Sequence, residues 1–249
     1  MNRPKLGRSS AISHRWIKRL LLQFLGRRTS RRSNLGTYVL IGIVLASCSL
    51  GCASSRSPIV PPDILNAKGE SAISEGRYEE AYKLFLRAAN QDHADAQFHL
   101  GVMYANGEWV NRDYEEAHRW YRKAAVQGHA QAQTALAYMY VKPQGVRQDY
   151  EEAYRWYRRA ADQGYANAQY DLGVMYEKGE VDRNYTEARR WYRKAAEQRH
   201  ANAQHNLGRL YEKGLGGERD LQEALRWYRK AAAQGHSHAQ ADLRRLGFN

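Results

Sequence analysis

The chain has 249 residues, 43% of them hydrophobic, and a formal net charge of +13. Residues 1–56 contain 11 Lys or Arg and no acidic residue, whereas residues 57–249 carry 28 basic and 26 acidic residues, a net of +2. A nearly neutral segment gains little from counterion release on a phosphate backbone, so we expect residues 57–249 to bind no nucleic acid. The basic excess at the N-terminus is typical of a targeting segment.

Residues 1–47 have the pattern of a secretory signal. Residues 1–34 are basic, and a short apolar run extends from Leu35 to Ser47. The sequence Leu45-Ala46-Ser47-Cys48 resembles a bacterial lipobox, which predicts diacylation of Cys48. Stable attachment to a membrane through several acyl chains would follow. Residues 48–62 then form the lipidated cysteine and a tether rich in Ser and Pro.

Other interpretations of the N-terminus remain open. The apolar run extends to about Ala53, which is long enough for an uncleaved inner-membrane anchor, and the basic flank would still leave the repeats outside the cytoplasm. The Arg- and Ser-rich start also resembles an organellar transit peptide. By the lipoprotein sorting rule, Ser49 after Cys48 favours the outer membrane over the inner one. Either bacterial interpretation predicts an envelope location facing the periplasm.

A unit of about 36 residues recurs along the C-terminal four-fifths of the chain. An alanine recurs at steps of 36, 36, 35 and 36, and a later glutamine recurs at the same steps. Such a period predicts a solenoid, in which each unit buries its apolar face only against its neighbours. We therefore predict an all-α array over residues 63–249. The alanines are Ala81, Ala117, Ala153, Ala188 and Ala224, and the glutamines are Gln97, Gln133, Gln169, Gln204 and Gln240.

One helix of each unit begins with Asp or Asn followed three residues later by Glu, which predicts a capping box. A Trp-Tyr pair lies on its alanine stripe, and this spacing favours the core over a stacking platform. Glu115 precedes Arg119 by four residues and Glu151 precedes Arg155 likewise, which predicts solvated i,i+4 ion pairs. The capping pairs are Asp113 with Glu116, Asp149 with Glu152, Asn184 with Glu187, and Asp220 with Glu223. The Trp-Tyr pairs begin at Trp120, Trp156, Trp191 and Trp227.

This helix is followed by a predicted left-handed cap. Three units place glycine there, at Gly128, Gly164 and Gly235, as a left-handed C-terminal cap requires. Asp92 and Arg199 replace that glycine in two units, so we expect strain or a different closure there.

The other helix starts at Ala94, Ala130, Ala166, Ala201 and Ser237. Its eighth residue is small in four units, which predicts close approach of a neighbouring helix: Gly101, Ala137, Gly173 and Gly208. In the last unit this position is Arg244, followed by Arg245, as expected for a solubilising C-terminal cap. An opening helix from Asp63 to Glu75 brings the expected number to about eleven.

The pattern A-x-x-WY-[RK]-x-AA-x-QG-H-A-x-AQ-x-x-LG-x-MY resembles the Sel1-like repeat (SLR) family, a relative of the tetratricopeptide repeats. The resemblance covers about residues 78–249, with four close copies. It implies a right-handed α-solenoid that acts as an adaptor for other proteins, often in bacterial envelopes. One branch of the family is stapled by disulfides and has been linked to β-lactam binding. Both cysteines here, Cys48 and Cys52, precede the repeats, so that link does not carry over.

The resemblance also implies where a partner would bind. In tetratricopeptide-like superhelices the first helix of each unit lines the concave surface. The matching positions here vary among the units while the packing positions stay nearly fixed, as expected for local contacts. Tolerant surface sites are the alternative. The groove candidates are Phe98, Val102, Tyr138, Tyr170, Val174, His205 and Arg209, and Thr134, Ala241 and Arg245 share their register.

We find no candidate residues for catalysis, a cofactor or a metal. A histidine recurs in the turn between helices, at His93, His129, His200 and His236, but Tyr165 fills this position in one unit. A tyrosine there favours packing over metal binding. No phosphate loop, nucleophile elbow or H-E-x-x-H motif occurs.

These observations predict an exported, membrane-anchored, non-catalytic scaffold that binds a protein of the cell envelope through its groove. The alternatives are an envelope enzyme, which requires a deep pocket with two convergent titratable groups, and a cell-wall or glycan-binding protein, which requires exposed flat aromatic rings.

Overall fold

The computed structural model of the protein describes residues 60–248. The predicted signal segment, Cys48 and most of the tether lie outside the described residues. Within residues 60–248 the regular elements are eleven α-helices, so the predicted number is confirmed. They are α1 (Pro62–Ser74), α2 (Tyr78–Ala89), α3 (Ala94–Asn106), α4 (Tyr114–Val126), α5 (Ala130–Val141), α6 (Tyr150–Asp162), α7 (Ala166–Lys178), α8 (Tyr185–Glu197), α9 (Ala201–Lys213), α10 (Leu221–Ala232) and α11 (Ser237–Arg245).

The principal helix–helix contacts join consecutive helices, which confirms the predicted solenoid. Alanines of both helix types and the Trp-Tyr pairs form the core between them. Trp156, Trp191 and Trp227 are buried, as predicted, whereas Trp120 near the N-terminal end is only partly buried. None of the helices between residues 60 and 248 has the length and apolar character needed to span a bilayer.

The predicted capping boxes form only in part. Asp113 accepts hydrogen bonds from the backbone N–H of Glu116 at 3.0 Å, and the other three N-cap residues do the same for their glutamates. The reciprocal bond is absent from the described part of these turns, because the N-cap N–H already donates to a carbonyl of the preceding unit. For Asp113 this acceptor is the carbonyl of Tyr104, at 3.0 Å. The N-cap therefore also fastens each unit to the one before it.

The predicted i,i+4 ion pairs are wrong in register. Arg119 pairs with Glu116 rather than Glu115, and Arg155 pairs with Glu152 at 3.2 Å rather than with Glu151. Since the glutamate three residues after the N-cap does not complete a capping box, its carboxylate is available to the arginine one turn later. The same i,i+3 pair recurs for Arg190 and Arg226.

Small residues admit a tyrosine ring from the next helix, as the sequence predicts. A Cβ atom added to Gly173 would lie 2.5 Å from the ring of Tyr192, and one added to Gly101 would lie 2.5 Å from the ring of Tyr121. The predicted left-handed caps are also confirmed. Asp92 and Arg199 adopt φ angles of 60° and 66°, so two non-glycine residues carry the strain that glycine avoids elsewhere.

A buried glutamine links the second helix of each unit to the helices before and after it. Gln169 in α7 donates from Nε2 to the carbonyl of Ala161 at 3.1 Å, and its Oε1 accepts from Nε2 of Gln198 at 2.8 Å. Because buried amides need partners, the glutamine is satisfied only when the next unit is folded. The same two bonds recur at Gln97, Gln133 and Gln204.

Trp109, in the loop between α3 and α4, occupies a position that is glycine in two other loops. It has a φ of 66° and is 56% exposed, whereas Gly145 and Gly216 have similar angles and pack against the start of an earlier helix. A left-handed backbone conformation costs a bulky residue about 1–2 kcal/mol. Glycine avoids this cost but loses more conformational entropy on folding, which offsets part of the gain.

We therefore expect Trp109→Gly to stabilise the fold by about 0.5–1 kcal/mol in urea denaturation. The matched variant is Gly145→Ala, which should destabilise it, because its new Cβ would lie 2.6 Å from Cβ of Tyr114. A loss of stability in Trp109→Gly would mean that the packing of the indole outweighs the backbone strain.

Candidate functional site

One cavity of about 750 Å³ joins the predicted groove residues of successive units. Phe98 and Val102 from α3, Tyr138 from α5 and Tyr170 from α7 all line it. Residues that share a register in three successive units therefore also lie close together in space. The volume lies within the range of about 300–1,000 Å³ that is typical of ligand sites.

Two of the aromatic walls are held rigidly by stacking. The ring of Phe98 stacks on His129 with centroids 4.9 Å apart, and the ring of Tyr170 stacks on His200 at 4.7 Å. Tyr138 has no such stacked partner in the described part of the chain and is 44% exposed. Substitutions at Phe98 and Tyr170 would therefore perturb packing, whereas Tyr138 can be changed at little structural cost.

The recurrent histidines are N-terminal caps, a role that was not predicted from the sequence. Nδ1 of His129 accepts a hydrogen bond from the backbone N–H of Ala132 at 3.1 Å, and Nδ1 of His200 accepts one from Ala203 at 3.2 Å. The unprotonated imidazole nitrogen accepts the hydrogen bond that a Ser or Asp side-chain oxygen usually accepts at an N-cap. The predicted packing role is confirmed by the stacking on Phe98 and Tyr170. His93 and His236 cap their helices in the same way.

These caps make the fold sensitive to acid. Burial lowers the pKa of His129 and of His200 below the ordinary value of 6.5. The unfolded chain then takes up protons, as pH falls through about 6.5, that the folded chain does not. The histidine contribution to stability is therefore complete above this pH and is lost below it.

Asp171 opposes this trend, since its own pKa is raised and the fold gains protons there in the same pH range. We therefore expect the free energy of unfolding to fall between pH 7.5 and 5.5 most clearly in Asp171→Asn. Adding His129→Asn and His200→Asn should flatten this profile, because asparagine caps without titrating. Urea denaturation at several pH values measures it, and an unchanged slope in the triple variant would contradict the assignment.

Asp171 is the one carboxylate that lines the cavity. Burial raises its pKa to about 7, with a smaller contribution from Glu180, and a hydrogen bond from Tyr157 partly offsets the shift. No pattern in the sequence marks it as a functional residue. Its position varies among the units and carries no motif, so only the spatial arrangement draws attention to it.

The remaining groove candidates lie outside this cavity. Val174 is partly buried against the C-terminal core cluster. His205 hydrogen-bonds Asp242 at 2.9 Å, and Arg209 forms an ion pair with Glu177. Toward the C-terminus the groove register is therefore filled by polar pairs within the chain.

The cavity has little of what acid–base chemistry requires. Its titratable lining groups other than tyrosines are Asp171 and His200. Nδ1 of His200 is held by the helix cap, and the Asp171 carboxylate is held by Tyr157. Within residues 60–248, no group of three His, Cys, Asp or Glu side chains has the arrangement of a metal site.

The Sel1 repeat family model matches residues 75–93, 94–129, 130–165, 166–200 and 201–236. The chain belongs to the Sel1 repeat family. Each full repeat in this register begins with α3, α5, α7 or α9, so the cavity residues lie mainly on the first helix of a repeat. Sel1 repeat proteins generally mediate protein–protein interactions and are typically non-catalytic scaffolds.

Solved structures of bacterial Sel1 repeat proteins are similar to this chain. A Sel1 repeat protein from Oxalobacter formigenes is 34% identical with a TM-score of 0.70, covering 76% of this chain and 80% of its own. A protective antigen of uropathogenic Escherichia coli with an SLR fold is 38% identical with a TM-score of 0.66. That match covers 76% of this chain and 45% of the antigen. No curated protein matches the chain.

Proposed function

We propose that this Sel1 repeat protein is an exported, lipid-anchored adaptor that binds a protein partner in the bacterial cell envelope through the cavity on α3, α5 and α7. The observation that carries the binding site is the cavity itself, which spans three successive units and is walled by aromatic rings. A surface of this length suits an extended segment of a partner, and aromatic side chains are frequent anchors of protein interfaces.

Site-specific photocrosslinking tests the binding face. A photoreactive phenylalanine analogue replaces Tyr138 in the full chain, in cells that express it. The matched control places the analogue at Tyr78, which is 41% exposed but lies outside the cavity. We expect a discrete crosslinked protein from position 138 and none from position 78. Identical crosslinks from both positions, or none from 138, would place the partner elsewhere.

Lipid attachment is proposed from the lipobox at Cys48. Metabolic labelling with a palmitate analogue should mark the full chain and its Cys52→Ala variant, and should fail to mark Cys48→Ala. Fractionation of the two membranes then tests the proposed outer-membrane location. Label that survives in Cys48→Ala would contradict the lipobox prediction, and absence of label from the full chain would favour the uncleaved anchor.

A further inference from the structure

The charge distribution in the cavity indicates what kind of side chain it receives. Its lining residues include six Phe or Tyr rings and one carboxylate, and no Lys or Arg of the described chain lines it. Glu177 and Glu180, which follow Asp171 in the chain, already form ion pairs with Arg209 and Lys178. Asp171 itself forms no ion pair within residues 60–248. Asp171 is partly buried, and carboxylates withdrawn from water are ordinarily paired.

Asp242, in the last helix α11, occupies the same register as Asp171 and has two partners. It accepts from His205 of the preceding unit at 2.9 Å and from Arg245 three residues later at 3.1 Å. A donor side chain can thus reach an aspartate in this register from two positions, one in the preceding unit and one on its own helix. Around Asp171, the corresponding two positions hold residues of other types.

Thr134 and Val174 correspond in register to His205 and Arg245, and neither carries a charge. Thr134 lines the cavity with Asp171, so the space beside the carboxylate on this side is open to a ligand. Aromatic faces attract cations by about 0.5–2 kcal/mol, more strongly as water is excluded. Within the chain, Lys142 already lies 5.8 Å from the ring centroid of Tyr138.

We propose that the cavity beside Asp171 binds a lysine or arginine side chain of the partner protein, with this carboxylate as the counter-ion and Tyr138 and Tyr170 as walls. The inference rests on the proposed function, since it names the chemistry by which the partner is recognised. It makes the partner segment basic at one anchor position. The rest of the segment lies along α3 and α5, against Phe98 and Val102.

The proposal also fixes the pH dependence of binding. Burial raises the pKa of Asp171 to about 7, and a bound cation would lower it again, so affinity should fall as pH falls below neutrality. The groups that face this carboxylate are Tyr157, Tyr170 and Glu180. His200, which lines the same cavity, would gain positive charge in acid and act in the same direction.

The test uses the full chain in detergent and an array of 15-residue peptides as probes. We expect the strongest binders to contain a lysine or arginine whose replacement by norleucine weakens binding tenfold or more. Asp171→Asn should abolish this difference. Asp242→Asn, in the same register but outside the cavity, should preserve it. For the wild-type chain, the preference should also weaken between pH 8 and 5.5.

The possible results separate the two proposals. Some peptides could bind the wild-type chain but not Tyr138→Ser, and bind equally well after norleucine replaces their lysine or arginine. That result would overturn the basic-anchor inference and leave the groove as the binding site. Binding that is unaffected by Tyr138→Ser, or no binding to the wild-type chain, would contradict the proposed function itself. If Asp171→Asn unfolds, the test is the ratio of the affinities of the lysine and norleucine peptides for the wild-type chain, measured against pH. A ratio that stays constant with pH would overturn the inference.

Discussion

Replacement of Gln169 with glutamate is expected to destabilise the array by about 3–5 kcal/mol at pH 7.5, because it leaves an uncompensated charge in the core. Gln169 is 4% exposed, and its Nε2 donates to the carbonyl of Ala161. A carboxylate oxygen in that place faces the carbonyl oxygen with no hydrogen between them. The bond from Gln198 to Oε1 would survive, so the lost donor and the desolvated charge account for the effect.

The sign of the pH dependence identifies the cause. Burial raises the pKa of the new carboxyl, so acid protonates it, restores a donor toward Ala161 and removes the charge. The deficit of Gln169→Glu relative to wild type should therefore shrink as pH falls from 7.5 to 5, in urea denaturation. Gln240→Glu is the matched control, because Gln240 holds the same register in the last unit, where it is exposed. We expect it to cost less than about 0.5 kcal/mol. Equal losses in both variants would show that the links between units contribute little.

The fold could be predicted from sequence because every unit packs in the same way and therefore repeats the same residues at its packing positions. The fixed steps of Ala153 and Gln169, the start of α7 at Ala166 and the small residue at Gly173 all reappear where the periodicity places them. Each of these positions makes a helix–helix contact that is the same in each unit. One unit interpreted correctly therefore describes the whole array.

Contacts that involve side-chain rotamers were predicted less well. Arg119 has glutamates both three and four residues before it, and sequence spacing alone does not decide between them. The choice depends on the N-cap N–H, which is taken by the carbonyl of Tyr104 in the preceding unit. Histidine caps were missed for a related reason, since His129 serves as an acceptor only when its Nδ1 is unprotonated and turned toward its own helix.

The cavity itself depends on positions that do not repeat. Phe98, Tyr138 and Tyr170 were predicted as groove residues, and the structure brings them together. The open space next to Asp171 exists because Thr134 and Val174 stand where the last two units have His205 and Arg245. A repeat alignment within the chain contains this difference, but its meaning becomes clear only when the pairing of Asp242 is seen.

Replacement of Trp191 with alanine is expected to cost about 3–5 kcal/mol and to divide the unfolding of the array into two transitions. Trp191 is 0% exposed and belongs to the central core cluster, whereas the adjacent Tyr192 belongs to the C-terminal cluster. This Trp-Tyr pair of α8 therefore joins the two clusters. Because a solenoid is stabilised by units and by nearest-neighbour interfaces, weakening one interface reduces cooperativity between the parts on either side.

Two further variants separate the interface from the loss of an indole. Trp191→Phe should cost less than Trp191→Ala and keep a single transition, because Nε1 of Trp191 has no hydrogen-bond partner in the described chain and the ring retains most of the volume. Trp120→Ala removes the partly buried equivalent near the N-terminal end and should cost less than Trp191→Ala. Far-UV circular dichroism in urea, with hydrogen exchange to locate each transition, measures both. A single transition in Trp191→Ala, with the urea dependence of the wild-type chain, would mean that the hydrogen bonds of Gln169 and Gln198 couple the two parts without the tryptophan.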